Sequence, residues 1–261
     1  MRGDKLVPKP EHHKAARGLS RLLFPLFKVF EKGFAVTIGG ESGSGKTELA
    51  IALSQVLEQQ DVSTLILQQD DYFVYPPRTN AKMRKRNIGH VGPSEVRLNL
   101  LDQHLAQFHQ GTKQIIKPLV IYQDNLITTE TVNLEGIDVL IVEGTYTTLL
   151  KNADARIFID RSFLQTKADR LKRAREAQDE HLDRILEIEH RIIAGHKETA
   201  DIIVGAGYEV SAVKEINPVS AGSKCEAATC RKEVVRGSEG YVRGCARHSR
   251  MTYSHERREN A

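Results

Sequence analysis

Gly40-Glu41-Ser42-Gly43-Ser44-Gly45-Lys46-Thr47 spells G-x-x-x-x-G-K-[ST], a phosphate-cradling loop, and its flanks are the ones such a loop requires. Ahead of it, Phe34-Ala-Val-Thr-Ile-Gly39 is a short apolar, β-branched run that reads as a buried strand. Behind it, Leu49, Ala52, Leu53, Val56 and Leu57 share one face of a helix from Glu48 to Gln59. In the order strand, glycine loop, helix, the backbone N–H groups of the loop and the helix N-terminus converge on an anion. Lys46 is then placed to reach the β- and γ-phosphates of a nucleoside triphosphate, and the Thr47 hydroxyl to bind Mg²⁺. Residues 40–47 are therefore the expected ATP site.

Outward from the loop, strand and helix patterns alternate. Ser63–Gln68 reads as a second strand, and residues 74–93, with Pro76, Pro77, Gly89, Gly92 and Pro93, as a loop or irregular insertion. Ser94 is the expected N-cap of a helix to Gln110. Lys117–Tyr122 and Asn125–Val132 suggest a strand pair, and Ile137–Val142, Arg156–Ile159 and Ile202–Val204 further strands. Thr166 to about His196 reads as one long helical stretch or two helices. Repeated βα units predict an α/β fold of the P-loop NTPase type, an open parallel sheet with helices on both faces. Three segments follow: an N-terminal helical segment over 1–33, the P-loop domain over 34–215, and a small or disordered tail over 216–261. In the first, a helix from Glu11 to about Phe24 is expected to break or kink at Pro25.

The 261 residues are 40% hydrophobic and 28% charged, the balance of an ordinary globule with a substantial core. A net charge of +4 is too small to imply a nucleic-acid partner. No stretch approaches the roughly 20 apolar residues a membrane span needs. Leu19–Phe30 is interrupted by Ser20, Arg21, Pro25 and Lys28, so neither a signal peptide nor an anchor is expected, and the cytoplasm is the default location. Assembly into a homo-oligomer is compatible with these features. No cysteine precedes Cys225, which excludes a disulfide framework for the main body.

In an open parallel sheet, ligands bind at the carboxyl ends of the strands. Three strands here finish in acids: Asp70-Asp71, Glu143 and Asp160. Phosphoryl transfer to a hydroxyl calls for one carboxylate near Mg²⁺ and, usually, one to accept the proton. Glu143 closes an apolar strand before Gly144 and is assigned to the metal. Asp70 comes directly off the strand beside the loop and is the chosen base, with Asp71 as its competitor. The helical stretch after Asp160 carries Arg161, Arg170, Arg173 and Arg175. Arg170 and Arg173 share a helix face and are candidates to close over the phosphates. The loop after Asp71 offers Tyr72, Tyr75, Arg78, Asn80 and His90 as walls of an acceptor pocket, and Lys82, Arg84, Lys85 and Arg86 form a basic patch.

These residues together resemble the uridine kinase and phosphoribulokinase group of P-loop kinases. The likeness rests on Gly39–Thr47, Gln69-Asp70-Asp71-Tyr72-Phe73, Val142-Glu143-Gly144, Arg170-Leu171-x-Arg173 and Ala200-Asp201-Ile-Ile-Val204, and covers about residues 34–210. The resemblance implies that Asp70 is the base, that Glu143 serves the metal, and that Tyr122, following Pro118, helps to hold the acceptor. Uridine kinases usually carry Asn-x-Asp-His-Pro, whereas the comparable segment here runs Asn87-Ile-Gly89-His90-Val-Gly-Pro93. The expected activity is ATP-dependent phosphorylation of a small-molecule hydroxyl, most simply on a nucleoside. A sugar phosphate, pantothenate or another metabolite is an alternative acceptor. A nucleotide-dependent binding module that uses the basic tail is an alternative of another class.

In that tail, Cys225-x₄-Cys230 and Cys245-x₂-His248 have the spacing of four tetrahedral Zn²⁺ ligands, and so short a segment needs such a staple to fold alone. The competing reading is a disordered extension in which the cysteines are incidental.

Overall fold

The computed structural model describes residues 7–27, 33–167 and 180–216, together with the backbone of two later strands. Its centre is a sheet of Phe34–Gly40 (β1), Thr64–Gln68 (β2), Val139–Glu143 (β5), Ala155–Ile159 (β6), Ile202–Val204 (β7) and Val210–Ala212 (β8). The order is β2-β5-β1-β6-β7-β8, with every pair parallel except β7–β8. Every residue of β1 and β5 is buried, as a continuous apolar run at the middle of a two-sided sheet requires. The chain leaves β1 towards β2 on one side and β6 towards β7 on the other. The loops part at β1 and open a crevice over the phosphate loop.

Alternate side chains of each strand feed two cores. Val36, Ile38, Val139, Ile141, Ile157 and Ile159 pack under Pro10–Phe27 (α1) and Lys46–Glu58 (α2). Ala35, Leu140, Val142 and Phe158 face Leu98–His109 (α4) and Glu180–Ala194 (α5). Burying each large aliphatic chain contributes about 2 kcal/mol. Helix α1 turns His12, Ala15, Ala16, Leu19, Leu23 and Leu26 inward at helical spacing and shares the first core with β1 and α2. The expected break at Pro25 does not occur, and the helix runs to Phe27. Pro25 and Arg21, whose carbonyl loses its partner, are both exposed, so water can satisfy that carbonyl while Leu26 stays inside.

Residues 74–93 also depart from expectation, because Pro77–Arg86 (α3) is a helix. It lacks an apolar stripe, and only Asn80 is buried. Pro77 preforms its first turn, and Asn80 and Arg84, one turn apart, hook onto Glu95. Ser94 is not a helix cap. Residues Pro93–Glu95 form a 3₁₀ turn in which the Glu95 carboxylate accepts from Gly92 N (2.9 Å), and α4 starts at Leu98. The strand pair is the antiparallel hairpin Gln114–Ile121 (β3) and Leu126–Asn133 (β4). In the tail, Lys232–Gly237 (β9) and Gly240–Cys245 (β10) form a second antiparallel hairpin. Among the described residues no helix is long and apolar enough to cross a membrane.

Candidate active site

Sheet register builds the site. Glu143, the last residue of β5, stands level with Ile38 in β1 and Gln68 in β2. The phosphate loop leaves β1 just beyond Ile38, and Asp70 lies just beyond Gln68. Gly144 allows these ends to close up, because a Cβ there would sit 2.2 Å from the Gln69 Cβ. Gln69 then accepts the Tyr146 N–H through Oε1 (2.7 Å), locking the turn that carries Asp70.

Thr47 Oγ1 donates to Glu143 Oε1 at 2.9 Å, and Lys46 Nζ donates to the Glu41 carbonyl at 2.9 Å. Burial and then the Asp70 charge push the Glu143 carboxyl up to about 7, against the opposing pull of Lys46 and the Thr47 hydrogen bond. Asp70, Lys46 and Thr47 therefore all lie within reach of Glu143, at one end of the sheet. Gly45 has φ +96°, and Ser44 Oγ is buried with no hydrogen-bond partner among the described residues. A left-handed glycine and an orphaned buried hydroxyl in this loop, together with the paired Thr47 hydroxyl and Glu143 carboxylate, fit a phosphate with its divalent cation.

The two adjacent aspartates have different surroundings. Asp71 is buried, with Oδ2 2.7 Å from Lys117 Nζ and Oδ1 accepting from Val120 N at 3.0 Å. Lys117 also pairs with Glu130 at 2.7 Å. Asp70 is half-buried at the rim. Sequence reasoning passed over Lys117, whose position in an alternating strand gives no sign of its partner.

The remaining expected site residues are scattered. Tyr72 is fully enclosed and hydrogen-bonds His104 Nδ1 through its hydroxyl (2.8 Å), so it belongs to the core and not to an acceptor wall. His90 is half-buried, beside Tyr75 and 3.1 Å from Asn80 Oδ1. Tyr122 is half-buried at the hairpin turn, which Arg78 and Asn125 tie to the start of α3. Arg84 is not part of a solvated basic patch. It donates to both oxygens of the fully buried Glu95 (2.5 and 2.9 Å) and to Glu189 (3.1 Å), a cluster that was also missed. Arg161 reaches the carbonyl side of the phosphate loop rather than the amide side that receives phosphate. Arg170, Arg173, Cys225, Cys230 and His248 lie outside the described residues, and of Cys245 only the backbone is described.

A cleft of about 700 Å³ opens beside the loop, lined among others by Glu41, Arg161, Gln165, His190 and Glu209. Glu41 ties the loop to its far wall, accepting from Phe163 N (2.6 Å) and meeting His190 Nδ1 (2.7 Å).

Residues 35–204 match the phosphoribulokinase / uridine kinase family. The chain belongs to this family. Its members are ATP-dependent kinases. The chain is similar to the bifunctional alpha-galactosidase/sucrose kinase AgaSK of Mediterraneibacter gnavus, at 30% identity over 67% of this chain and 20% of that protein. It is equally similar to the uridine kinase of Lactobacillus helveticus, at 30% identity over 69% of this chain and 89% of that one. Phosphoribulokinase from Rhodobacter spheroides shares the fold, with a TM-score of 0.52 at 14% identity over 67% of this chain and 70% of that chain.

Proposed function

We propose that this family member transfers the γ-phosphoryl group of ATP to a hydroxyl of a neutral, polyhydroxylated small molecule, a nucleoside first of all. The observation that carries the reading is the Thr47–Glu143 hydrogen bond (2.9 Å) at the strand-end level where β1 runs into the phosphate loop and β2 into Asp70. Bound Mg²⁺–ATP supplies the phosphoryl group and the charge that draws electrons towards it. Thr47 and Glu143 would hold the cation, and Lys46 would swing from the Glu41 carbonyl to the phosphates. Asp70 accepts the proton of the acceptor hydroxyl and aims its oxygen in line. Asp71 is unsuited to that task, since both its oxygens are engaged by Lys117 and Val120. The cleft beside Glu41 is the space on offer to the nucleoside end of ATP.

Tyr75 and His90, packed side by side, and Tyr122 at the hairpin turn would offer the acceptor ring faces and neutral hydrogen-bonding groups. The Arg84 charge is already matched by Glu95 and Glu189, which argues against a phosphate on the acceptor. Similarity to a uridine kinase supports a nucleoside, and similarity to AgaSK supports a sugar as the second reading. The deciding experiment offers uridine, sucrose, a pentose phosphate and pantothenate to the full chain with Mg²⁺–ATP and follows ADP release. Uridine-dependent release is expected. ADP release that no hydroxyl acceptor accelerates removes the phosphotransferase proposal.

A further inference from the structure

The phosphate loop is held from behind through its carbonyls. Thr166 Oγ1 donates to the Ser42 carbonyl (3.1 Å), and Tyr208 Oη donates to the Ser44 carbonyl (3.0 Å). Tyr208 is enclosed between elements far apart in the sequence. His12 of α1 meets its hydroxyl through Nε2 at 2.8 Å, and Arg161, just past β6, donates to it through Nη1 at 2.9 Å. The Arg161 guanidinium lies 5.2 Å from the tyrosine ring centroid, and the His12 ring meets that ring edge-on.

The hydrogen-bond directions form a single chain. Lys9 N–H donates to His12 Nδ1 (2.9 Å), so the imidazole proton sits on Nε2 and is donated to Tyr208 Oη. Burial lowers the His12 pKa, which keeps the ring in this neutral form. Oη thus accepts from His12 and Arg161 and donates its own proton to the Ser44 carbonyl. A trans peptide points C=O and N–H in opposite directions. Holding the Ser44 carbonyl outward therefore turns the Gly45 N–H inward, to the phosphate side.

Two further observations fit this role. Tyr208 has φ +61°, a left-handed conformation that a bulky residue adopts only when its surroundings impose it. At Gly45 a Cβ would stand 2.2 Å from Tyr208 Oη and 3.0 Å from His12 Nε2, so the second glycine of the motif admits this pair. His12 and Tyr208 both lie outside the matched span 35–204, one before it and one after it.

We infer that Tyr208, buttressed by His12 and Arg161, is a positioning residue that presets the Ser44–Gly45 peptide for the phosphates of ATP. This rests on the phosphate-loop reading above. The test measures the Kd of Mg²⁺ with a non-hydrolysable ATP analogue, and the KM values for ATP and acceptor, on the full chain. Tyr208→Phe keeps the ring and removes the hydroxyl. It is expected to raise the nucleotide Kd and KM about tenfold or more while the acceptor KM stays within about twofold. His12→Ala is expected to weaken nucleotide binding less, and His12→Gln, whose amide N–H can replace Nε2–H, to restore it. A merely structural role would lower the melting temperature of both variants without separating the ATP and acceptor constants. If Tyr208→Phe does not fold, the His12→Ala and His12→Gln pair decides, and equal nucleotide Kd values in that pair overturn the proposal. Wild-type nucleotide binding with an unchanged Kd in Tyr208→Phe overturns the brace alone. A wild-type chain that binds no nucleotide overturns the brace together with the phosphate-loop reading.

Discussion

The donor and acceptor sides of the rim are held by different means. On the donor side the working groups are backbone amides, and the structure controls them through carbonyls anchored by Thr166 and Tyr208. On the acceptor side the frame is made of buried charge: Asp71 with Lys117 and Glu130, and Arg84 with Glu95 and Glu189. A triphosphate offers every kinase of this kind the same oxygens, and a fixed ring of N–H groups suits it. An acceptor pocket has to discriminate, and long side chains fixed by ion pairs give it a particular shape. The contrast predicts that the same chemical change has different consequences on the two sides.

The largest effect is expected from two neighbouring substitutions. Asp70→Asn removes the proposed proton acceptor and is expected to lower kcat on the order of 10³-fold with the nucleotide Kd unchanged. Asp71→Asn weakens a buried ion pair and is expected to cost roughly 1–3 kcal/mol of stability while most of kcat remains. Steady-state kinetics paired with urea denaturation of both variants checks this. A reversal, with Asp71→Asn inactive and Asp70→Asn active, would exchange their roles.

These two aspartates also mark where the amino-acid sequence ceased to be legible. The phosphate loop, β1, α2 and Glu143 could be read because each is defined by neighbours within a few residues. Nothing near positions 70 and 71 separates them. The discriminating partner, Lys117, is a β3 residue that approaches only after the hairpin has docked. Helix α3 was read as irregular because it has no apolar stripe, and its anchor is Glu95 in the following turn. His12 and Tyr208, at opposite ends of the domain, left no local pattern at all. Core elements announce themselves by periodicity, whereas polar pairs depend on distances that the chain sets only when folded.

The second effect concerns stability on the acceptor side. Arg84→Met leaves Glu95, fully enclosed, with Asn80 and the Gly92 N–H as its remaining partners among the described residues. Removing one member of a buried pair typically costs about 3–5 kcal/mol. Urea unfolding should show a loss of that order, and the double variant Arg84→Met/Glu95→Gln should recover part of it. A neutral Arg84→Met would show that the cluster is solvated in solution.

The third effect has the opposite sign. The Glu143 carboxyl is held near 7 when folded, well above its ordinary carboxylate value. Between those values the folded state retains a proton that the unfolded chain has released, so the contribution of Glu143 to stability falls as pH rises through this window. Glu143→Gln removes that penalty. Without Mg²⁺ it is expected to be more stable than wild type at pH 8, by on the order of a few kcal/mol, and flatter in its pH dependence. Its kinase activity is expected to collapse, since the carboxylate proposed to hold Mg²⁺ is lost. Thermal melts of both proteins from pH 4.5 to 8 check the sign, and an advantage of Glu143→Gln over wild type that does not grow with pH across that range would contradict it.

The smallest effect tests which side of the rim Tyr72 belongs to. Its place two residues after Asp70 suits an acceptor contact, yet its hydroxyl is spent on His104 and its ring has no exposed surface. Tyr72→Phe keeps the ring and gives up one neutral hydrogen bond, leaving His104 Nδ1 without that partner. A stability loss of about 1 kcal/mol is expected. Because no substrate atom can reach a fully enclosed ring, acceptor KM and kcat should match wild type. A KM for the acceptor several-fold higher, without loss of stability, would move Tyr72 back to the pocket wall and require the turn Gln69–Tyr72 to rearrange when substrate binds.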